Sequence, residues 1–232
     1  QAIKELRERE LFPKGSAVVI GGSGGIGKVI CETFASYGVP LIFTYRQNEN
    51  MAKELQDKII QFGGEAKYHQ LELTNKTAVE NFCKNLEDSK VHSIVNATGS
   101  DIRMKWINEL SYKEWDDVMR SDADGLFNLV KNSLPLLRDF GGSYTTLSSI
   151  GLSRWPSKDI LSVAPKAAVD ALMNGVAKEE GRNNIRANSI QLGIIEAGIF
   201  LRMKGKDYDD RYIEAAKNNT ALKRLGSAEE VA

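Results

Sequence analysis

A chain of 232 residues is long enough for one well-buried domain and leaves little room for a second. Its 31 Lys and Arg balance 31 Asp and Glu, so no global field exists to gather nucleic acid or anionic lipid. No 18-residue apolar stretch or signal-peptide core stands out, and Cys31 and Cys83 fall in apolar helical contexts that suit core thiols in a reducing cytoplasm.

Residues 1–14 read as a charged lead-in helix, with Pro13 and Gly15 marking the start of the core. The apolar strand 17–20 then runs into Gly21, Gly25 and Gly27, followed by an amphipathic helix over 28–37. A strand, a glycine-rich turn and a helix are the context of a nucleotide-binding site. The glycines let the backbone approach a pyrophosphate, and the helix amides hold the anion without a side chain.

A second buried strand follows at 39–45, and a helix at 49–62 places Met51, Leu55, Ile59 and Phe62 at helical spacing. A third strand is predicted at 65–73. Thr74 or Asn75 caps a helix to about residue 88, with Val79, Phe82, Cys83 and Leu86 inward. The fourth strand is 91–97. His69 and His92 each sit at a strand, and nothing groups them as metal ligands.

Ser111 caps a long helical stretch to about 138, in which Gly125 and Pro135 predict a bend or break. A fifth strand, 142–148, leads through a Ser/Gly/Trp/Pro loop to a helix at 163–179, closed by Gly181. The sixth strand is 185–192, residues 208–218 are helical, and AEEVA reads as the start of another helix. Strands alternating with helices predict an α/β doubly wound parallel sheet covered on both faces.

From Ala17 onward these motifs resemble the short-chain dehydrogenase/reductase family, in particular its 3-oxoacyl-(acyl carrier protein) reductase-like members. The resemblance implies one Rossmann-fold domain over residues 1–232 and a cofactor site at Gly21, Ser23, Gly25, Ile26 and Gly27. It extends that site to Glu72-Leu73, where the family has Asp-Val beside the adenine. It also adds Asn96, Ala97 and Gly99 of the turn NATG, and Lys166. Departures are visible: Ile20 and Ala197 stand where threonines are usual, Thr98 where alanine is, and Leu192-Gly193 where Pro-Gly is. The family continues beyond this point with a helix, a seventh strand and a tail, so the sheet is expected to lack, or be cut before, its final strand.

By resemblance, Ser149 and Lys166 match two members of a Ser-Tyr-Lys hydride-transfer set. The tyrosine position holds Ser162, in SVAPK, and the helix asparagine falls on Asp122. A phenol beside an ammonium gives a proton to a developing alkoxide near neutral pH, whereas a serine hydroxyl is less acidic and shorter. Ser162 also suits a helix first turn, Ser149 a strand end and Lys166 a helix surface. Asp122 reads equally as a poised carboxylate, a partner of Lys166 or a polar helix residue. Trp155 and Trp106 are candidate walls of a substrate cleft.

Strand two ends Thr44-Tyr45-Arg46 with no acid for a ribose 2′-hydroxyl, and Arg46 suits a 2′-phosphate, which favours NADP(H). Three functions compete. One is an NADP(H)-linked oxidoreductase on a carbonyl or hydroxyl of an acyl-thioester or polyketide-like small molecule, weak or inactive with generic 3-oxoacyl thioesters. The second is a dehydratase, isomerase or cyclase with Asp122 or Asp101 as base. The third is a catalytically inactive subunit paired with a related reductase chain. The surplus of Val163, Ala167, Val169, Ala171, Leu172 and Val176, with the 111–138 helix, predicts a homodimer or homotetramer. No nucleic acid or membrane partner is expected, and the location expected is cytoplasmic.

Overall fold

The computed structural model describes residues 11–232, so the expected lead-in helix lies largely outside the described residues. Six strands, β1 (Ser16–Ile20), β2 (Leu41–Tyr45), β3 (Ala66–Gln70), β4 (Val91–Asn96), β5 (Gly142–Ser149) and β6 (Ile185–Leu192), pair in parallel. Their order is β3-β2-β1-β4-β5-β6. The chain therefore reverses its direction of winding between β1 and β4, and the crevice above that point is where open α/β sheets bind ligands.

Alternation along the strands sends side chains to two cores. Ala17 and Val19 join Leu41 and Phe43 beneath α1 (Gly25–Ser36) and α2 (Glu49–Gln61). Val18 and Ile20 face α3 (Lys76–Lys84), α5 (Gly125–Arg138) and α7 (Ile160–Glu180) on the other side. Val79, Phe82, Cys83 and Leu86 are all buried, as their spacing predicts. On α2 Leu55 and Ile59 are inward as predicted, but Ala52 takes the place of Met51, which is exposed, and Phe62 is exposed at the helix C-cap.

The long helical stretch is interrupted, but not at the proline. α4 (Tyr112–Val118), capped by Ser111 with Glu114, passes into a π-helical turn at Met119–Asp124, and α5 then continues through Pro135. Gly125 sits where a methyl would lie 3.0 Å from the Leu73 Cβ. The loop after β5 contains a short helix, α6 (Gly151–Arg154), and α7 starts three residues before the predicted position.

With its final 3₁₀ turn, α7 spans Ile160–Asn183 and reaches the length and mean hydropathy (1.2) of a membrane-crossing helix, which the linear reading did not register. Its buried residues lie along the sheet, and Asp170 accepts a hydrogen bond from Gln191 of β6 at 2.9 Å. Val163, Val169 and Val176 are thus consumed within the chain, while Ala167 and Ala171 remain exposed. Beyond β6, α8 (Ile199–Met203) and α9 (Asp210–Asn219) form a lid around Phe200, Ile213 and Leu225. Residues 228–232 make a turn, with the Val231 and Ala232 amides both donating to the Ala228 carbonyl.

Candidate active site

A cleft of about 950 Å³ runs along the carboxyl ends of β1, β2, β4 and β5 and under the lid. Its first stretch is the glycine turn. Gly21 has φ +76°, a left-handed conformation that favours glycine, and its amide donates to Thr44 Oγ1 at 3.0 Å. Gly22 and Gly27, by contrast, serve packing. A methyl on Gly22 would lie 2.6 Å from Phe43 Cβ, and one on Gly27 would lie 2.2 Å from the Gly21 carbonyl oxygen. Gly21, Ser23, Gly24, Gly25 and Ile26 face the cleft; Gly27 stands behind them.

The start of α1 differs chemically from those of α2, α3, α4 and α9. Asn48, Asn75, Ser111 and Asp209 each accept an amide at the head of α2, α3, α4 and α9. Gly24 offers no side chain, and the first turn of α1 carries no acid. Its amides and positive dipole end are left for an anion in the cleft.

The end of the cleft beyond β2 is formed by Thr44, Tyr45, Arg46, Leu71, Glu72 and Leu73. Arg46 Nε lies 3.9 Å from Glu72 Oε2, and both side chains are about half exposed. Ala97, Thr98 and Gly99 line the middle. Asn96 does not: it is buried, accepts from the Thr98 amide (3.3 Å) and hydroxyl (2.8 Å), and donates to Thr146. Its role is to shape the turn.

Ser149, Ser162 and Lys166 converge on the cleft. The Lys166 ammonium lies 3.2 Å from Asp122 Oδ2 and 3.4 Å from the Thr98 carbonyl oxygen. Asp122 is buried in the π-helical turn, and its other oxygen accepts the Ser100 amide at 3.1 Å and the Ser100 hydroxyl at 2.6 Å. Of the three readings open for Asp122, partner of Lys166 is the one observed. Asp101, the other candidate base, is exposed and holds Arg202 of the lid at 2.7 Å.

Neither tryptophan lines the cleft. Trp155 caps α6 in a left-handed conformation (φ 50°) and turns outward, while Trp106 is half exposed beneath the Lys158 ammonium at 5.2 Å from its ring. The aromatic wall comes instead from the lid. Phe200, Tyr208 and Tyr212 stack in sequence, with centroids 5.9 and 4.9 Å apart. The lid also lies down on the cradle, since a methyl on Gly25 would be 2.4 Å from the Gly198 nitrogen.

Sequence reasoning missed the lid aromatics and, among titratable cleft residues, Asp159. It precedes α7, was read as loop because the helix was placed three residues late, and carries no motif. Burial pushes its carboxyl up to about 6.

A family profile described as enoyl-(acyl carrier protein) reductase matches residues 21–232. The chain belongs to this short-chain dehydrogenase/reductase family. Similar proteins include the uncharacterized oxidoreductase YxbG of Bacillus subtilis, 29% identical over 223 residues, with 94% of this chain and 81% of the relative covered. The uncharacterized oxidoreductase YgfF of Escherichia coli is 26% identical, covering 93% and 89%. A tropinone reductase homolog of Arabidopsis thaliana is 27% identical, covering 93% and 81%. Among solved structures, a short-chain dehydrogenase/reductase from Serratia marcescens superposes with a TM-score of 0.84 at 22% identity, covering 94% of this chain and 87% of that one, which shows the shared fold.

Membership in the short-chain dehydrogenase/reductase family implies oxidoreductase chemistry with a nicotinamide dinucleotide. The residues present fit such a group: an uncapped helix start, a glycine turn with a left-handed Gly21, and a cleft continuous from Arg46 to Lys166.

Proposed function

We propose that this chain is an NADP(H)-linked oxidoreductase acting on a carbonyl or hydroxyl of an acyl or polyketide-like substrate, with Ser162 standing in the place of the family's tyrosine. The observation that carries this reading is the single cleft joining the uncapped start of α1 to Ser149 and to a Lys166 fixed by Asp122. A dinucleotide, when bound, supplies or takes the hydride. Gly25 and Ile26 hold its pyrophosphate, Lys166 its ribose hydroxyls, and Ser149 orients the substrate oxygen. An acyl substrate is supported by the description of the matching family and by the aromatic and apolar end of the cleft around Phe200, Tyr212 and Leu225. Against the dehydratase or isomerase reading, Asp122 is bound to Lys166 in a buried pair, and Asp101 stands exposed outside the cleft against Arg202.

Arg46 sets the cofactor. A charge-assisted contact to a 2′-phosphate is worth roughly 1.5 to 3 kcal/mol, and the neighbouring Glu72 holds the expected gain to the lower end. Calorimetric titration should therefore give NADPH about a 10-fold advantage over NADH, collapsing in R46A. Equal affinities in the wild type would overturn the assignment of Arg46.

A homodimer or homotetramer is proposed for the assembly, in a cytoplasmic setting. Ala167 and Ala171 are exposed on α7, and Tyr112, Trp115 and Phe127 are exposed large side chains on α4 and α5. Light scattering at micromolar concentration should return at least twice the 25.7 kDa chain mass. A clean monomer would refute it.

A further inference from the structure

We propose that Asp159 is the acid–base residue of this cleft, exchanging a proton with the substrate oxygen that Ser149 orients. The proposal rests on the oxidoreductase reading and names the donor that Ser162 is too short to be.

Asp159 holds the N-cap position of α7, yet its carboxyl caps nothing, although Asp209 in the same position of α9 accepts the Tyr212 amide at 2.7 Å. An aspartate at a helix start ordinarily takes that amide. Here it lines the cleft instead, on the same turn as Ser162, whose amide donates to the Asp159 carbonyl at 3.0 Å. Ser149 faces the same point: a methyl on Gly151 would lie 3.0 Å from Ser149 Oγ and 3.6 Å from Asp159 Oδ2. The same position lies 2.8 Å from Val163 Cγ2 and the Gly151 amide donates to Ser149 Oγ at 3.0 Å, so this buried glycine relieves packing there and brings the two oxygens to its edge.

The surroundings keep the carboxyl largely apart from cations. Tyr208 and Tyr212 of the lid stand against it, and both phenols are pushed up, first by burial and further by its charge. Lys158 turns to the Trp106 ring, Lys166 is held by Asp122, and Asp207 pairs with Arg103. Arg154 and Arg202, the latter held by Asp101, are the remaining charged groups on the substrate side of the cleft. A carboxyl titrating near neutrality is suited to give and take a proton at working pH.

In the reduction, hydride reaches the carbonyl carbon, the C=O π pair moves to oxygen, and the Asp159 O–H bond breaks to protonate it. A proton taken up from bulk solvent then restores the carboxyl, so each reduction consumes one hydride and one proton. In the reverse direction the carboxylate takes the hydroxyl proton.

The test compares wild type, D159N and D159E using NADPH and a small 3-oxo ester as probes. NADPH affinity should be unchanged within about 2-fold, while D159N loses at least ~100-fold in reduction rate and D159E recovers part of it. Wild-type reduction should fall as pH rises through about 6, and that dependence should be missing from the residual D159N rate. A second readout needs no turnover. The folded carboxyl holds its proton more tightly than the unfolded one, so stability associated with it is full below the unfolded value and is lost as pH rises through about 6. D159N should accordingly melt higher than wild type at about pH 8, with the gap closing towards about pH 3.

A D159N variant that binds NADPH and reduces the ester at the wild-type rate overturns the proposal. So does a wild type that binds NADPH and transfers no hydride, or a D159N that no longer binds NADPH. A wild type with no NADPH affinity overturns the oxidoreductase reading itself, a distinct result.

Discussion

Replacing Asp122 by alanine is expected to cost about 3 kcal/mol of stability, the low end for breaking a buried ion pair. The Lys166 and Asp122 side chains are 13% and 6% exposed, so the abandoned ammonium has little water to fall back on. The Ser100 amide and hydroxyl lose their acceptor in the same step. Because Lys166 borders the cleft, partial hydration holds the cost to the low end of the range. D122N should cost less, since its amide oxygen still accepts from Ser100, and D122A/K166M should recover most of the loss. Urea unfolding at constant m reads all three. Equal midpoints for wild type and D122A would mean that the pair contributes nothing to the fold.

Substituting Ser162→Tyr should raise turnover of a 3-oxoacyl probe by about 10-fold. Lys166 lies one helical turn along α7, where its ammonium lowers the pKa of a phenol placed at 162. A well-positioned acid contributes 10²- to 10⁴-fold, but this lysine already shares its charge with Asp122, so the smaller gain is expected. The two donors should also be redundant: D159N in the S162Y background should cost far less than D159N alone. An S162Y variant that binds NADPH without any gain would mean that the cleft has diverged by more than one side chain.

Much of the fold was legible because strand and helix periodicity survive in the sequence. β6 matches its predicted span, and the inward face of α3 matches its own. Helix starts were less visible. The glycines that make the α1 cradle read locally as turn, so α1 begins at Gly25 and not at 28. The same error at α7 hid Asp159, because a residue assigned to a loop gives no hint that its side chain has declined to cap.

The site was readable wherever chemistry depends on backbone or on position along one helix, as with Gly21, Gly25 and the Ser162–Lys166 spacing. It was not readable where partners come from distant segments. The latch of Asp101 on Arg202 crosses nearly half the chain, and the pairing of Lys166 with Asp122 was only one of three readings open in the sequence. Tryptophans were favoured as cleft walls for their size, yet backbone conformation turns Trp155 away, and stacked tyrosines from the lid take its place. Asn96 was assigned to the cofactor by resemblance, but its carbonyl oxygen is already engaged with Thr98.

The most direct test of the central claim is isotopic. Wild-type protein is incubated with NADPH deuterated at the reactive C4 position and a 3-oxo ester, and the product is analysed by mass spectrometry. The account predicts a hydroxy ester carrying one deuterium on the carbinol carbon, formed faster at about pH 6 than at about pH 8. Saturating NADPH with no deuterium in any product would contradict it.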